Sequence, residues 1–172
     1  GGSVLFISAR PGAGPGARGL APRVGGLVSP PGWGADSYAR AAPAARGAPR
    51  RDKVTRVADY LPELEVSGPP AGRLLVLGWG GTHGAALTAV KRLQQEGQEV
   101  AHAQLRYLNP FPRNLGEVLR RYETVMIPEL NYGQLAMLVR AEYLVEVVSL
   151  CKLEGRPFSV GEIEARAREL LA

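Results

Sequence analysis

Cysteine is almost missing: the 172 residues contain one, Cys151. A single thiol excludes an internal disulfide. It also excludes an iron–sulfur cluster held by this chain alone, since such clusters are usually tied by ~4 thiolates. It suits a reducing, cytoplasmic setting. Histidine is nearly as scarce, with only His83 and His102, too few for most metal sites, and neither H-x-x-x-H nor C-x-x-C occurs. No G-x-S-x-G elbow is present to carry a nucleophilic serine. No run of ~18 apolar residues exists, so no transmembrane helix is expected. The first residues lack the charged-then-apolar pattern of a secretory signal. No catalytic residue and no metal ligand is therefore expected.

Acid is the next absence. The formal net charge is +5, which at first sight suggests a nucleic-acid or membrane-surface binder. Residues 1–50 hold six arginines against one acid, Asp36, whereas residues 51–172 hold 15 basic and 15 acidic side chains. The working surface is neutral, and neither nucleic acid nor a membrane is expected as a partner. The first fifty residues also contain 11 Gly, 7 Pro and 11 Ala, which offers little apolar surface to offset chain entropy. Only Val4–Ile7 suits a buried strand. An Arg-rich, acid-poor leader is a transit-peptide trait, but Gly and Pro would break the amphipathic helix such a leader needs. Residues 1–51 are read as a mostly irregular segment and residues 52–172 as the folded domain.

From Asp52 the pattern becomes regular. Asp52 is placed to cap a short helix bearing Val54, Val57, Ala58 and Leu61, and Leu64 and Val66 then alternate with Glu63 and Glu65 like a brief strand. Leu74–Leu77 is a continuous apolar run, typical of a strand covered on both faces. It leads into a helix with Ala85, Ala86, Ala89, Val90 and Leu93 on one side, which Gly97 is placed to stop. Strands follow at Val100–Leu105, Thr124–Ile127 and Val147–Leu153. Asn114 with Glu117 resembles a capping box, a helix from about Gln134 is expected to turn Leu135, Leu138, Ala141 and Val145 inward, and Ser159 with Glu162 caps a last helix. Strands alternating with helices imply a three-layer α/β/α sandwich around a mainly parallel sheet of about five strands.

Three loops carry the candidate functional residues, each after a core strand, at the edge where open α/β sheets gather ligands. The first holds Gly78, Gly80, Thr82 and His83. Its place at a helix N-terminus suits an anion. However, G-x-G-x-x-G fails at His83, no Walker lysine follows, and a plain glycine turn capped by Thr82 reads equally well. The second holds Arg106, Tyr107, Asn109 and Phe111 between prolines, either a rigid connector or an interface hot spot. The third holds Glu129, Asn131, Gly133 and Gln134, with Asn131 as a cap and Glu129 and Gln134 expected to point toward the same cleft. Cys151, in an apolar strand, reads as a packed, inert thiol.

Taken together, Leu77-Gly78-Trp79-Gly80, Leu105-Arg106-Tyr107-Leu108-Asn109-Pro110-Phe111-Pro112, Asn114–Leu119, Pro128–Leu135 and Leu138–Val145 resemble the C-terminal part of the α subunit of 2-oxoacid:ferredoxin oxidoreductases, especially the 2-oxoglutarate type. The resemblance implies a transketolase C-terminal-like domain. It further implies that the complete enzyme cleaves a 2-oxoacid with thiamine diphosphate, magnesium and coenzyme A, and passes electrons through an iron–sulfur cluster to ferredoxin. The partners implied are the β subunit and the pyrimidine-binding domain of the α subunit. This chain lacks the G-D-G…N-N signature and the cluster cysteines, which in that family belong to β. It is expected to bind no cofactor alone, to be inactive alone, and to brace neighbouring domains through its three loops.

The alternatives are a stand-alone interaction module of the same fold and an anion- or nucleotide-binding domain using Gly78–Gly84. The resemblance starts abruptly near Arg51. Since Ala, Gly, Pro and Arg are what GC-rich codons encode, residues 1–50 have the composition of a wrong-frame reading.

Overall fold

The apolar runs of the sequence become a five-stranded sheet in the computed structural model, which describes residues 51–172 of a chain that divides into two units, Gly1–Arg50 and Arg51–Ala172. The strand read at Val4–Ile7, and the irregular character of 1–50, lie outside the described residues. The strands are β1 (Val66–Ser67), β2 (Gly72–Trp79), β3 (Val100–Leu105), β4 (Tyr122–Glu129) and β5 (Val147–Cys151), and the helices are α1 (His83–Gln95), α2 (Leu115–Leu119), α3 (Gln134–Tyr143) and α4 (Val160–Leu171). The order across the sheet is β1-β3-β2-β4-β5. The short β1 runs antiparallel to β3, and every other neighbour pair is parallel. This is the mainly parallel sheet expected from alternating strands and helices.

The two-residue period of a strand sorts its side chains between two cores. On one face Leu75, Leu77, Ala101, Ala103, Leu105, Val125 and Ile127 pack with Leu115, Leu119, Leu135 and Val139 of α2 and α3. On the other, Leu74, Val76, Val100 and Met126 pack with Ala86, Val90 and Leu93 of α1 and Ile163 and Ala167 of α4. Each buried leucine contributes roughly 1.5–3 kcal/mol. Helix α1 ends as its sequence suggests: Gly97 takes φ +83, and Gln98 N–H donates to the Leu93 carbonyl, closing the last turn. Ser159 and Glu162 form the expected capping box on α4. The carboxylate of Glu162 also receives the nearly buried Lys152 ammonium at 2.7 Å. That hydrogen bond, followed by those from Ser159, holds the Glu162 pKa down at about 2.

Several expectations fail for identifiable reasons. Residues 51–57 are already helical, so Asp52 lies inside that turn and does not cap it, and Val54 and Val57 are exposed. Asn114 makes no side-chain cap on α2. Its amide instead accepts from Leu64 N–H at 2.8 Å and donates to the Leu64 carbonyl at 3.0 Å, clipping the approach to β1 onto the domain as a neighbouring strand would. Glu117 faces forward in a loose ion pair with Arg121, 3.7 Å away, instead of back. Strand β5 stops at Cys151, and that thiol is exposed, with Ser149 Oγ 3.0 Å from its sulfur. The inward stripe of α3 is Leu135, Ala136 and Val139. Leu138 and Ala141 face outward, because the helix is apolar on both sides.

Candidate functional site

Parallel registers place the carboxyl ends of β2, β3 and β4 side by side, so the three singled-out loops share one edge. They do not form one site. The first two border a cleft of about 390 Å³ beside β1 and β3, and the third is occupied with holding α3.

The cleft exists because β1 has helical cover on one face only. Leu64 and Val66 point into the core shared with α2 and α3, while Glu63, Glu65 and Ser67 point to the other side, along the outer flank of α1. The α1 flank supplies His83, Leu87 and Lys91, one helical turn apart each. Strand β3 supplies His102 and Gln104, and the residues after it supply Arg106 and Tyr107.

Hydrogen-bonding logic fixes the histidine pair. His102 Nδ1 lies 2.9 Å from the Val76 carbonyl oxygen, which can only accept, so Nδ1 carries the proton. In the neutral ring Nε2 is then an acceptor, and His83 Nδ1, 3.2 Å away, donates to it. Burial lowers the His102 pKa to about 4, against the bond to Val76, with the nearby His83 pushing the same way as burial. His102 stays neutral at physiological pH.

Gly78 belongs to this arrangement. A Cβ there would sit 2.4 Å from Gln104 Oε1 and 3.1 Å from His102 Cε1. Gln104 Oε1 is buried without a partner among the described residues, and its Nε2 donates to the Gly80 carbonyl over a long 3.4 Å. Gly80 itself turns the chain with φ +56. Thr82 does not cap α1. Its hydroxyl donates to the Trp79 carbonyl and accepts from Trp79 N–H, closing the turn before the helix. Asn109 precedes a cis proline, and the Phe111 ring packs tilted against Tyr143 of α3 with centroids 5.9 Å apart.

The third loop satisfies the first turn of α3 completely. Asn131 Oδ1 accepts from Gly133 N–H at 2.8 Å and from Gln134 N–H at 3.0 Å. Glu129, fully buried, accepts from Leu135 N–H at 2.8 Å through Oε2 and from Ala136 N–H at 3.0 Å through Oε1. The four donors that a helix start leaves open are thus all taken. Glu129 points into the molecule and not into a cleft, because Gly133, in the left-handed conformation at φ +87, has no side chain to cap with. Gln134 is exposed, and Leu130 and Tyr132 stand out from the same loop.

The donor set does not suit a metal or cluster: among the described residues no three of His, Cys, Asp and Glu converge. His102 and Gln104 were not singled out from the sequence, although two polar residues at alternate positions of an otherwise apolar strand were a readable signal.

The architecture is that of the transketolase C-terminal-like domains. A split-gene transketolase superposes with a TM-score of 0.50 at 20% identity over 62% of this chain and 41% of its own, a likeness of fold alone. Residues 73–163 match the family described as pyruvate:ferredoxin oxidoreductase core domain II, and the chain belongs to that family. It is 46% identical over 159 residues to the 2-oxoglutarate oxidoreductase subunit KorA of Mycobacterium tuberculosis, covering 92% of this chain and 24% of that protein. It is 35% identical over 124 residues to the α subunit of 2-oxoacid:ferredoxin oxidoreductase 1 of Aeropyrum pernix, covering 66% and 19%. Among solved structures, the 2-oxoglutarate:ferredoxin oxidoreductase of Magnetococcus marinus, with 2-oxoglutarate, coenzyme A and succinyl-CoA bound, superposes with a TM-score of 0.85 at 28% identity. That match covers 94% of this chain and 29% of the other.

The chain thus spans a quarter or less of the length of these sequence relatives. One expectation is overturned. A match over 92% of the chain is more than residues 52–172 can supply, so the similarity does not start at Arg51 but runs on into the Gly/Pro/Ala/Arg-rich segment. A frame break just before Arg51 would have ended it there.

Proposed function

We propose that this chain works as the core domain II portion of the α subunit of a cytoplasmic 2-oxoglutarate:ferredoxin oxidoreductase, and that its task is to brace neighbouring domains and the β subunit and not to carry out chemistry. The observation that carries this reading is the superposition, over nearly the whole chain, on an enzyme that binds 2-oxoglutarate and coenzyme A. In the complete enzyme thiamine diphosphate, magnesium and the iron–sulfur cluster belong to other domains and subunits on this reading, which the lack of a converging His, Cys, Asp and Glu cluster among the described residues supports. Coenzyme A and the 2-oxoacid are met in the assembly, and ferredoxin is reached only indirectly.

The bracing surface is the outward side of the β4–α3 unit. Tyr132 is 82% exposed, Met137 63% and Leu138 54%, large apolar side chains that a solvent-facing helix does not need. The test is co-expression of the tagged chain with the β subunit of a 2-oxoglutarate:ferredoxin oxidoreductase from the same source, followed by gel filtration. The two co-elute, and the chain alone shows no coenzyme A-dependent oxidation of 2-oxoglutarate with a dye acceptor. Turnover by the isolated chain refutes the reading. The same exposed residues also favour a second reading, a stand-alone interaction module, which predicts capture of a partner that is not a thiamine-dependent subunit.

A further inference from the structure

Leu144 is badly placed twice over for a domain that works alone. Its side chain is 89% exposed, more than any other large apolar residue among the described residues. Its backbone is left-handed at φ +54, and among the described residues no other non-glycine has a positive φ. In a leucine that conformation brings Cβ too close to the following carbonyl oxygen, a strain that glycine escapes. The turn itself is needed. Only Leu144, Val145 and Glu146 join α3 to β5, and the Leu144 N–H donates to the Arg140 carbonyl at 3.0 Å to close the last helical turn. Glycine commonly fills that position after a helix, and the exposed leucine side chain adds nothing to the turn.

The chain around Leu144 is pinned on both sides. Arg120 Nη2 donates to the Tyr143 carbonyl over 3.4 Å, Arg140 Nη2 donates to the Val147 carbonyl, and Val145 packs against the core beneath α2 and α3. A side chain held out by a fixed turn has less backbone freedom to lose on binding, which favours an apolar anchor. Leu144 also ends the helix whose Met137 and Leu138 belong to the bracing surface. It lies six residues beyond Leu138, about 9 Å at 1.5 Å per residue, close enough to share one interface of ~800 Å² per partner. From these observations we propose that Leu144 anchors that surface by entering an apolar pocket on the β subunit, and that the left-handed leucine is kept, strain included, for this contact. This role rests on the assembly reading above and adds to it the residue that carries the contact. For the fold alone glycine or asparagine would serve better at this position, since both take the left-handed conformation readily.

The experiment measures two things for the full chain and its Leu144→Gly and Leu144→Asn variants: calorimetric affinity for the β subunit, and urea unfolding of the chain alone. Both variants are expected to unfold at a urea concentration no lower than the parent's, because neither loses a buried side chain and both relieve the left-handed strain. Both are expected to bind the β subunit about ten- to a hundredfold more weakly, the affinity that burying one leucine supplies. Val54→Asn, at an exposed apolar position outside the β4–α3 unit, leaves binding unchanged. If the parent binds and either Leu144 variant binds within about twofold of it, the anchor role is overturned and the assembly reading stands. A lower unfolding midpoint in both variants also overturns it, because the leucine then serves the fold. A parent chain that does not bind the β subunit at all overturns the assembly reading, and the anchor role with it.

Discussion

Glu129→Gln separates two roles for the buried carboxylate that ends β4. If the acid is there to hold the start of α3, the change is costly although the shapes match. Gln keeps one acceptor oxygen but sets an NH₂ group against the N–H of either Leu135 or Ala136, two donors facing each other with no acceptor between them. The lost charge-assisted bond is worth roughly 1.5–3 kcal/mol, and the stranded buried donor costs about 1–3 kcal/mol more. Some of this overlaps and some relaxes, so about 3 kcal/mol is the expected loss, a large share of the ~5–15 kcal/mol that holds a domain. With a urea slope of ~1–3 kcal/mol/M, the unfolding midpoint falls by about 1–3 M. Amide hydrogen exchange localises the effect, since Leu135 and Ala136 lose protection before the strands do. If the midpoint stays within about 0.3 M of the parent while association or enzyme activity is lost, the capping argument is wrong and Glu129 acts on something outside the chain.

His102→Gln tests the neutral buried ring. In the parent, the unfolded chain takes up a proton below pH 6.5 and the folded chain only below about 4, so stability is full above the upper value and lost as pH falls between the two. The loss totals roughly 3 kcal/mol, and the difference between the variant's and the parent's urea midpoints at pH 7 and pH 4.5 should shrink correspondingly. Gly116→Ala places a methyl 2.8 Å from the Tyr143 ring, and an overpacking cost of about 1–3 kcal/mol should appear as a lowered melting temperature. Leu138→Glu, by contrast, is expected to change stability by less than about 0.5 kcal/mol in the isolated chain, yet to abolish co-elution with the β subunit.

Much of the fold was legible because strand and helix periods were clean. Val100–Leu105 appears with the ends the sequence suggests, and Gly97, Ser159 and Glu162 do what their positions promise. What was not legible depended on long-range partners. Asn114 looks like a helix cap in sequence, but a strand-like segment fifty residues earlier offers its amide both a donor and an acceptor, a better match than a single N–H. The candidate site was partly legible for a similar reason. Position at the carboxyl edge brought out His83, Arg106 and Tyr107, which border one cleft, whereas Glu129 shares that edge and turns inward, because Gly133 at the start of α3 has no side chain of its own to accept from the first turn.

Helix α3 shows where periodicity alone stops deciding. Leu135, Leu138 and Ala141 fit a helical stripe as well as Leu135, Ala136 and Val139 do, and hydrophobicity ranks the two about equally. What selects between them is the anchor at the helix start. The Glu129 carboxylate can reach Leu135 and Ala136 N–H only with those residues turned toward the sheet, and that sets the rotation of everything after them. Met137 and Leu138 are then carried outward as a consequence. An apolar outer face on a helix that is already packed on its inner face is not required for this domain to fold. It is retained at the same sheet edge as the exposed Leu130 and Tyr132. One buried carboxylate thus fixes both which side of α3 completes the core and which side is left for another surface to cover.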